Sequence, residues 1–417
     1  MIIRKKHLFY VLAITSSFIS AAVTGIDSFV GGQSVFKYDP WAFSFSLFFV
    51  GIIITLLISL ILSIKLKGKS IGAKILDPSF KKVRMVQKSE MKYHLVAGLM
   101  NAINTVGYCA IVSAVQDPSV ILSFSQIVIL YLLLMESITE KDVPTLVEVQ
   151  SSVIVTFGAI LASISLTGEL QWLPIIIVFL VVNPTWAIFS IYQRKLKIMR
   201  INNRPNDSIN IRLWNLVFSF IFISIIVLIF DIFTNGSHLI TGFMTVINSY
   251  YFLLLALTMG TTFFAYVLYI RSLGMGKASV NNALRASTII FAIPFSILLL
   301  KLGVITDFST DPVMLIIKVI GMIMIVMGII SFAITVVKAY IFIDVKTGRP
   351  LRETMQKLWN IRGVSHVTIT SGKHDFIVKV STRTLMKGYE RIIKKLDEID
   401  EIKKYHWESV LKDWEKI

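Results

Sequence analysis

Long apolar stretches alternate with short polar breaks through residues 8–337. Ten are long enough to cross a hydrocarbon core, which takes about 20 helical residues for roughly 30 Å. They lie near 8–26, 41–64, 93–115, 118–137, 144–166, 172–193, 212–233, 249–271, 278–300 and 313–337. After Lys338 the period changes. Residues 340–345 alternate as a strand, and Leu351, Met355, Leu358 and Trp359 form a helical stripe. Val367 and Ile369, then Phe376, Val378 and Val380, alternate as two strands around a Gly-containing hairpin loop, 371–375. Leu385, Tyr389, Ile392, Ile393 and Leu396 form a second stripe, and 402–410 a last strand. The pattern predicts an all-α polytopic membrane part followed by a small α+β domain. The order βαββαβ is that of a ferredoxin-like sandwich.

Composition agrees with the membrane assignment. The chain is 55% hydrophobic and 16% charged, with mean hydropathy +0.74. Soluble domains are about 45–50% apolar and 25% charged. The net charge of +17 invites a nucleic-acid reading, so its placement matters. Residues 338–417 hold 17 of the 42 Lys and Arg and 11 of the 25 Asp and Glu. The remaining positive charge clusters in loops between apolar stretches. The start has Arg4, Lys5 and Lys6, residues 65–92 carry nine basic side chains, and Arg194, Lys195, Lys197, Arg200 and Arg204 follow the sixth stretch. Loops 27–39, 167–171 and 235–238 are almost free of Lys and Arg. Alternating from a cytoplasmic N-terminus puts every basic loop inside, as the positive-inside rule requires. The expectation is a multi-pass plasma-membrane protein with both termini cytoplasmic and lipid around it. The first apolar run is read as an uncleaved helix. No nucleic-acid motif accompanies the charge, and Cys109, the single cysteine, excludes internal disulfides and Cys-based metal sites. No catalytic, phosphate-binding or metal-spaced cluster appears, so no enzyme, cofactor or metal is expected.

Residues 274–300 are unusual. They are long enough to span, yet carry Asn281, Asn282 and Arg285. An ionisable residue inside a span costs roughly 2.5–3.5 kcal/mol, so it usually faces protein or a water-filled path. Asn281, Arg285 and Thr288 fall on one helical face. The functional reading is a solute pathway; the alternative is an Arg that snorkels to the surface. Asn104, Gln126, Asn183, Trp186 and Tyr192 are further candidates for the pathway, each with interhelical hydrogen bonding as the bland alternative. Asn183-Pro184 breaks helical bonding. Glu136 and Glu148 are candidate ion carriers, or loop-facing carboxylates. The chain also divides into halves. Residues 111–134 set against 270–293, an offset of 159, pair Ser113 with Ser272 and Gln126 with Arg285. Gly158 and Gly328 end the halves alike. Five spans per half give an inverted 5+5 repeat, with domains 1–168, 169–337 and 338–417.

The membrane part resembles the drug/metabolite transporter superfamily, in particular EamA-type transporters. The residues carrying this are Gly31-Gly32-Gln33-Ser34-Val35-Phe36-Lys37, Asp39-Pro40, the break before Ser119-Val120, Gly276-Lys277-Ala278-Ser279, Glu140, and Trp186 to Tyr192 with Arg194-Lys195. The resemblance covers about residues 7–337 and implies secondary transport of a small-molecule substrate. Two features depart from it: the long basic loop 65–92, and Leu302-Gly303-Val304 where the second half lacks a counterpart to Glu140. The tail resembles the Lrp/AsnC effector-binding domain through Ile343 to Val345, Val364 to Thr370 and the loop Gly372-Lys373-His374-Asp375 with Phe376-Ile377-Val378. That resemblance implies amino-acid binding near Gly372, His374 and Asp375, and homodimerisation through the tail. A fold kept for assembly alone is the alternative. No helix-turn-helix precedes it, so DNA binding is not implied. The combined expectation is a prokaryotic transporter of a small metabolite, an amino acid among the candidates, with a cytoplasmic sensing or dimerisation domain. A membrane-anchored sensor without transport is the runner-up.

Overall fold

The computed structural model describes all residues except 1–4, 116–121, 123–124, 140–145, 164–175, 202–203, 277, 302–311, 335–336, 347, 349, 362, 383–391 and 410–417. The predicted features at Glu140, Lys277, Leu302 to Val304, loop 167–171, the break at 116–120, and Leu385 and Tyr389 lie outside the described residues, as do the side chain of Glu148 and residue 410 of the last strand.

The membrane part is built from helices α1 (Lys5–Gly31), α2 (Pro40–Leu62), the short α3 (Ile71–Ile75), α4 (Lys88–Val115), α5 (Val128–Thr139), α6 (Leu146–Ser163) and α7 (Asn183–Ile198). There follow α8 (Ser208–Thr234), α9 (His238–Ile247), α10 (Ser249–Leu273), α11 (Ala278–Arg285), α12 (Thr288–Lys301) and α13 (Pro312–Ile334). Among the described residues six helical segments are long and apolar enough to cross a membrane: Leu8–Gly31, Pro40–Leu62, Lys88–Ser113, Ser208–Thr234, Ser249–Leu273 and Ala278–Leu298.

Three local differences from the sequence pattern shape the interior. First, α1 runs to Gly31 instead of ending before Asp27. No proline intervenes before Gly31-Gly32, and the Asp27 carboxylate finds a partner inside the protein. Second, an extra helix, α9, follows the predicted 235–238 loop. Asp231 accepts the His238 and Leu239 N–H groups at 3.0 Å each, capping it. Third, the stretch 278–300 is two helices. Ala286 and Ser287 form a tight turn, with i to i+3 bonds from Ile289 N to Ala286 O at 3.1 Å and from Ile290 N to Ser287 O at 3.0 Å. The first half has a similar turn at Gln126 and Ile127, closed by Ile129 N and Leu130 N at 3.1 Å.

A π-helical turn, Val178–Val182, leads into α7. Pro184 has no N–H, so the regular ladder cannot continue through it. Asn183 Nδ2 takes the Val178 carbonyl at 3.1 Å, and Thr185 Oγ1 takes that of Val181 at 2.6 Å. Helices α6 and α13 pack closely through small residues. A Cβ at Gly158 would stand 2.6 Å from the Gly321 carbonyl oxygen, and Ser151 and Ser331 hydroxyls bond across at 2.8 Å.

The tail holds a four-stranded antiparallel sheet of β1 (Val337–Val345), β2 (Val364–Ile369), β3 (Phe376–Thr382) and β4 (Ile402–Ser409), ordered β2-β3-β1-β4. Helix α14 (Leu351–Trp359) and helical residues 392–397 cover one face. Ile341, Ile343, Phe376, Val378 and Val380 bury there against Leu358, Ile392 and Leu396. Strand order and antiparallel pairing are those expected of the βαββαβ sandwich.

Candidate functional site

Helices α1, α2, α4, α5, α7, α8, α10, α11 and α12 wall one cavity of about 1100 Å³ of empty space, its open mouth included. The π turn and the two tight turns place its key groups. Arg285 closes α11 at the turn before α12, and Gln126 sits at the corresponding turn before α5.

The cavity has an aromatic, cationic end. The Arg285 guanidinium lies 4.5 Å from the Tyr269 ring centre and 5.5 Å from that of Trp186. Its Nη2 donates to Ser20 Oγ at 3.0 Å. Arg212 lies over the Tyr266 ring at 4.1 Å. Cation–π contact of this kind contributes about 2 kcal/mol when desolvated. Trp186 Nε1 donates to Asn282 Oδ1 at 3.2 Å, Asn282 Nδ2 to Tyr269 OH at 3.2 Å, and Tyr269 OH to Ser190 Oγ at 2.6 Å. That chain fixes the aromatic rings. Elsewhere in the wall Asp27, 4% exposed, accepts from Tyr108 OH at 2.8 Å through Oδ2. Asp27 Oδ1, Asn104 Oδ1, Thr258 Oγ1 and the Nε atoms of Arg212 and Arg285 have no hydrogen-bond partner among the described residues. Among the described residues no ion pair reaches Asp27, Arg212 or Arg285.

Of the residues singled out in the sequence, Asn104, Gln126, Asn183, Trp186, Asn282 and Arg285 line this cavity. Tyr192 and Asn281 do not. Tyr192 packs on Tyr93 at 6.0 Å, with Lys195 Nζ 5.0 Å from its ring. Asn281 Oδ1 accepts from Ser272 Oγ at 2.8 Å. Within α11 it is Asn282, three residues before Arg285, that faces the cavity, and Thr288 beyond the turn lines it too. Sequence reasoning missed Asp27, Tyr108, Arg212 and Tyr266. Asp27 and Arg212 each fall at the edge of an apolar stretch, where a charge reads as loop. Glu136, a candidate ion carrier, instead accepts the Ala278 and Ser279 N–H groups at 2.8 and 3.2 Å, capping α11.

The basic loop before α4 is folded onto the helices. Lys197 Nζ meets Asp77 Oδ2 at 2.5 Å in a buried pair, and Ser208 donates to the same oxygen through N at 2.8 Å and Oγ at 2.7 Å. Burial alone raises the Asp77 carboxyl; the Lys197 charge and the Ser208 donors override it and hold it below the usual carboxylate range. Arg84 grips Glu90 with two bonds of 2.7 Å and Asn206 Oδ1 at 2.8 Å. The Glu90 bonds hold the Arg84 guanidinium above its ordinary value, against burial.

In the tail loop, Asp375 braces the sheet: its Oδ2 accepts the Val345 N–H at 2.7 Å. His374 Nδ1 meets Asp344 Oδ1 at 2.7 Å, its ring 5.3 Å from Phe342. Gly372 has open space around it, with nothing within 4 Å of an added Cβ.

Comparison with known proteins bears on the tail alone. No curated protein matches the chain. A solved structure described only as "Crystal structure of protein" aligns at 12% identity and TM-score 0.49, covering 78% of this chain and 95% of its own. Residues 338–415 match the family model of the Lrp/AsnC ligand binding domain, and the C-terminal unit is therefore a domain of that kind behind a helical part with membrane-spanning character.

Proposed function

We propose that this protein is a secondary transporter of a small charged metabolite, with an Lrp/AsnC-type domain that senses amino acid on the cytoplasmic side. One observation carries the reading: a cavity inside apolar helices, walled from both halves, mostly apolar in surface but holding ionisable groups with no ion-pair partner among the described residues. Buried charge without a partner is costly, and in membrane segments it marks solute paths. The matched turns at 126–127 and 286–287, and the packing of Gly158 and Gly328 between α6 and α13, support a 5+5 inverted repeat of ten spans, as the EamA resemblance implies. Arg285 offers a fixed charge to an anionic or zwitterionic solute. The tail biases transport by binding effector with different affinity in two states, and pairs two copies through its sheet. Neither enzyme activity nor a cofactor enters this reading.

Protein reconstituted in liposomes is expected to accumulate a labelled metabolite, and Arg285→Ala to abolish uptake. Uptake unchanged by Arg285→Ala would remove Arg285 from the mechanism. The domain match also favours a second reading, a membrane-anchored sensor. Effector binding with no solute movement in vesicles selects it.

A further inference from the structure

We infer that the cavity binds an amino-dicarboxylate, a small solute with one ammonium and two carboxylates. The inference rests on reading the cavity as a ligand site, and holds whether the ligand is carried across or only held.

Three ionisable side chains line the wall: Asp27, Arg212 and Arg285. Arg212 is 2% exposed and Asp27 4%. None pairs with an opposite charge among the described residues. A ligand that supplies every missing counter-charge is favoured over one that leaves a charge buried alone. Two guanidiniums and one carboxylate give the wall a net charge of +1, which a solute with two anionic groups and one cationic group balances: one carboxylate is shared by the two guanidiniums and the ammonium faces Asp27.

Their placement refines the match. The Arg285 head contacts Ser20 on α1. Asp27 stands seven residues further along the same helix, two turns on and on the same face, which is roughly 10 Å away. Arg212 belongs to the Arg285 end. Its ring partner Tyr266 lies 5.8 Å from Trp186 and 6.3 Å from Tyr269, the two rings beside Arg285. The cavity is therefore cationic at one end and anionic at the other. Subtracting a charge-assisted contact of roughly 2.8 Å at each end leaves roughly 4–5 Å between the ligand's ammonium and its far carboxylate. An α-amino acid with a carboxylate on a one- or two-carbon side chain spans that gap. Guanidiniums grip a carboxylate with two parallel bonds, which a carboxamide cannot reproduce. The near carboxylate, beside the ammonium, meets neutral groups of the same wall. Thr258 is suited, since its Oγ1 hydroxyl can donate and has no partner among the described residues; the unpartnered Asn104 Oδ1 only accepts, and suits the ammonium.

Calorimetry on the full-length protein in detergent tests this with five probes. They are glutamate, aspartate, glutamine (neutral far end), glutarate (no ammonium) and 4-aminobutyrate (no near carboxylate). Glutamate or aspartate is expected to bind tightest, with each of the other three weaker by roughly 10- to 100-fold. Arg212→Gln and Arg285→Gln are expected to abolish the heat, and Arg212→Lys and Arg285→Lys to weaken it. Asp27→Asn should erase the preference for glutamate over glutarate. Melting temperatures check that each variant folds; where a Gln variant does not, the Lys variant decides. Three results would overturn the inference: glutamine or glutarate binding as tightly as glutamate, glutamate heat unchanged in both Lys variants, or no heat from any probe. Vesicle uptake is read separately. Binding without uptake keeps this inference and sinks transport; Arg285-dependent uptake of an unrelated solute does the reverse.

Discussion

Asp77 is a loop carboxylate that the fold has taken out of water and given four partners' worth of positive field: the Lys197 ammonium, the Ser208 N–H and hydroxyl, and the helix that starts at Ser208. Removing one member of such a pair leaves the other buried and uncompensated, at about 3–5 kcal/mol. Asp77→Asn should therefore lower stability by that amount at neutral pH. The pH dependence follows from the depressed carboxyl. A carboxyl held below its unfolded value, about 3.9, contributes stability above that value and loses it as pH falls through the folded one. The gap between wild type and Asp77→Asn should be full from pH 7 to 5 and close below about pH 4. Asp207 nearby has the opposite sign: burial raises it first and the Asp77 charge adds to that, so Asp77→Asn relieves part of its cost and narrows the gap slightly at neutral pH. Thermal unfolding in detergent across pH 7 to 3 reads this; a gap that stays constant to pH 3 refutes it.

Helix contacts separate glycines that the sequence shows alike. Gly158 faces a backbone carbonyl of α13 that cannot step aside, so Gly158→Ala should destabilise by about 1–3 kcal/mol through overpacking. Gly372 has open space and no left-handed backbone, so Gly372→Ala should change stability by less than about 0.5 kcal/mol. Melting temperatures of the two variants test both; equal shifts would refute the contrast. A loss of effector binding in Gly372→Ala at full stability would give that glycine a role beyond folding. The same contrast marks what the sequence could convey. The helical stripes and strand alternation of the tail predicted its strand order, because each element buries one face. Apolar runs located the six helices long and apolar enough to span, and the cost of an ion in a span singled out Arg285. Asp27 and Arg212 stayed hidden because hydropathy cannot tell a charge ending a helix from one held inside it by Tyr108 or Tyr266. The break after Arg285 stayed hidden too: Ala286 and Ser287 carry no breaker, and their tight turn depends on packing.

At the scale of the whole molecule, the loop contacts constrain how often the chain crosses. The Asp77–Lys197 and Arg84–Asn206 bonds place loop 63–87 and the segment 199–207 on one face of the molecule. Helix α4 departs from that face and is long and apolar enough to cross once. The chain must come back to the same face by Met199, so an odd number of crossings is made between α4 and α8. The six long apolar segments include none there, since α5, α6 and α7 with its π turn are each shorter or less apolar. Those three helices would then contribute one or three crossings; three, with α13 added to the six long segments, is what a ten-span arrangement requires. The basic side chains agree: both loops in question are rich in Lys and Arg, and segment 32–39 beyond α1 is not. Cysteine labelling tests this directly, because native Cys109 is fully buried and stays silent. Tyr38, Lys74 and Arg200 are exposed. An impermeant maleimide on intact cells is expected to label Tyr38→Cys alone, with Lys74→Cys and Arg200→Cys reacting only after the membrane is opened. Labelling of Arg200→Cys together with Tyr38→Cys would break the parity argument, and with it the ten-span arrangement.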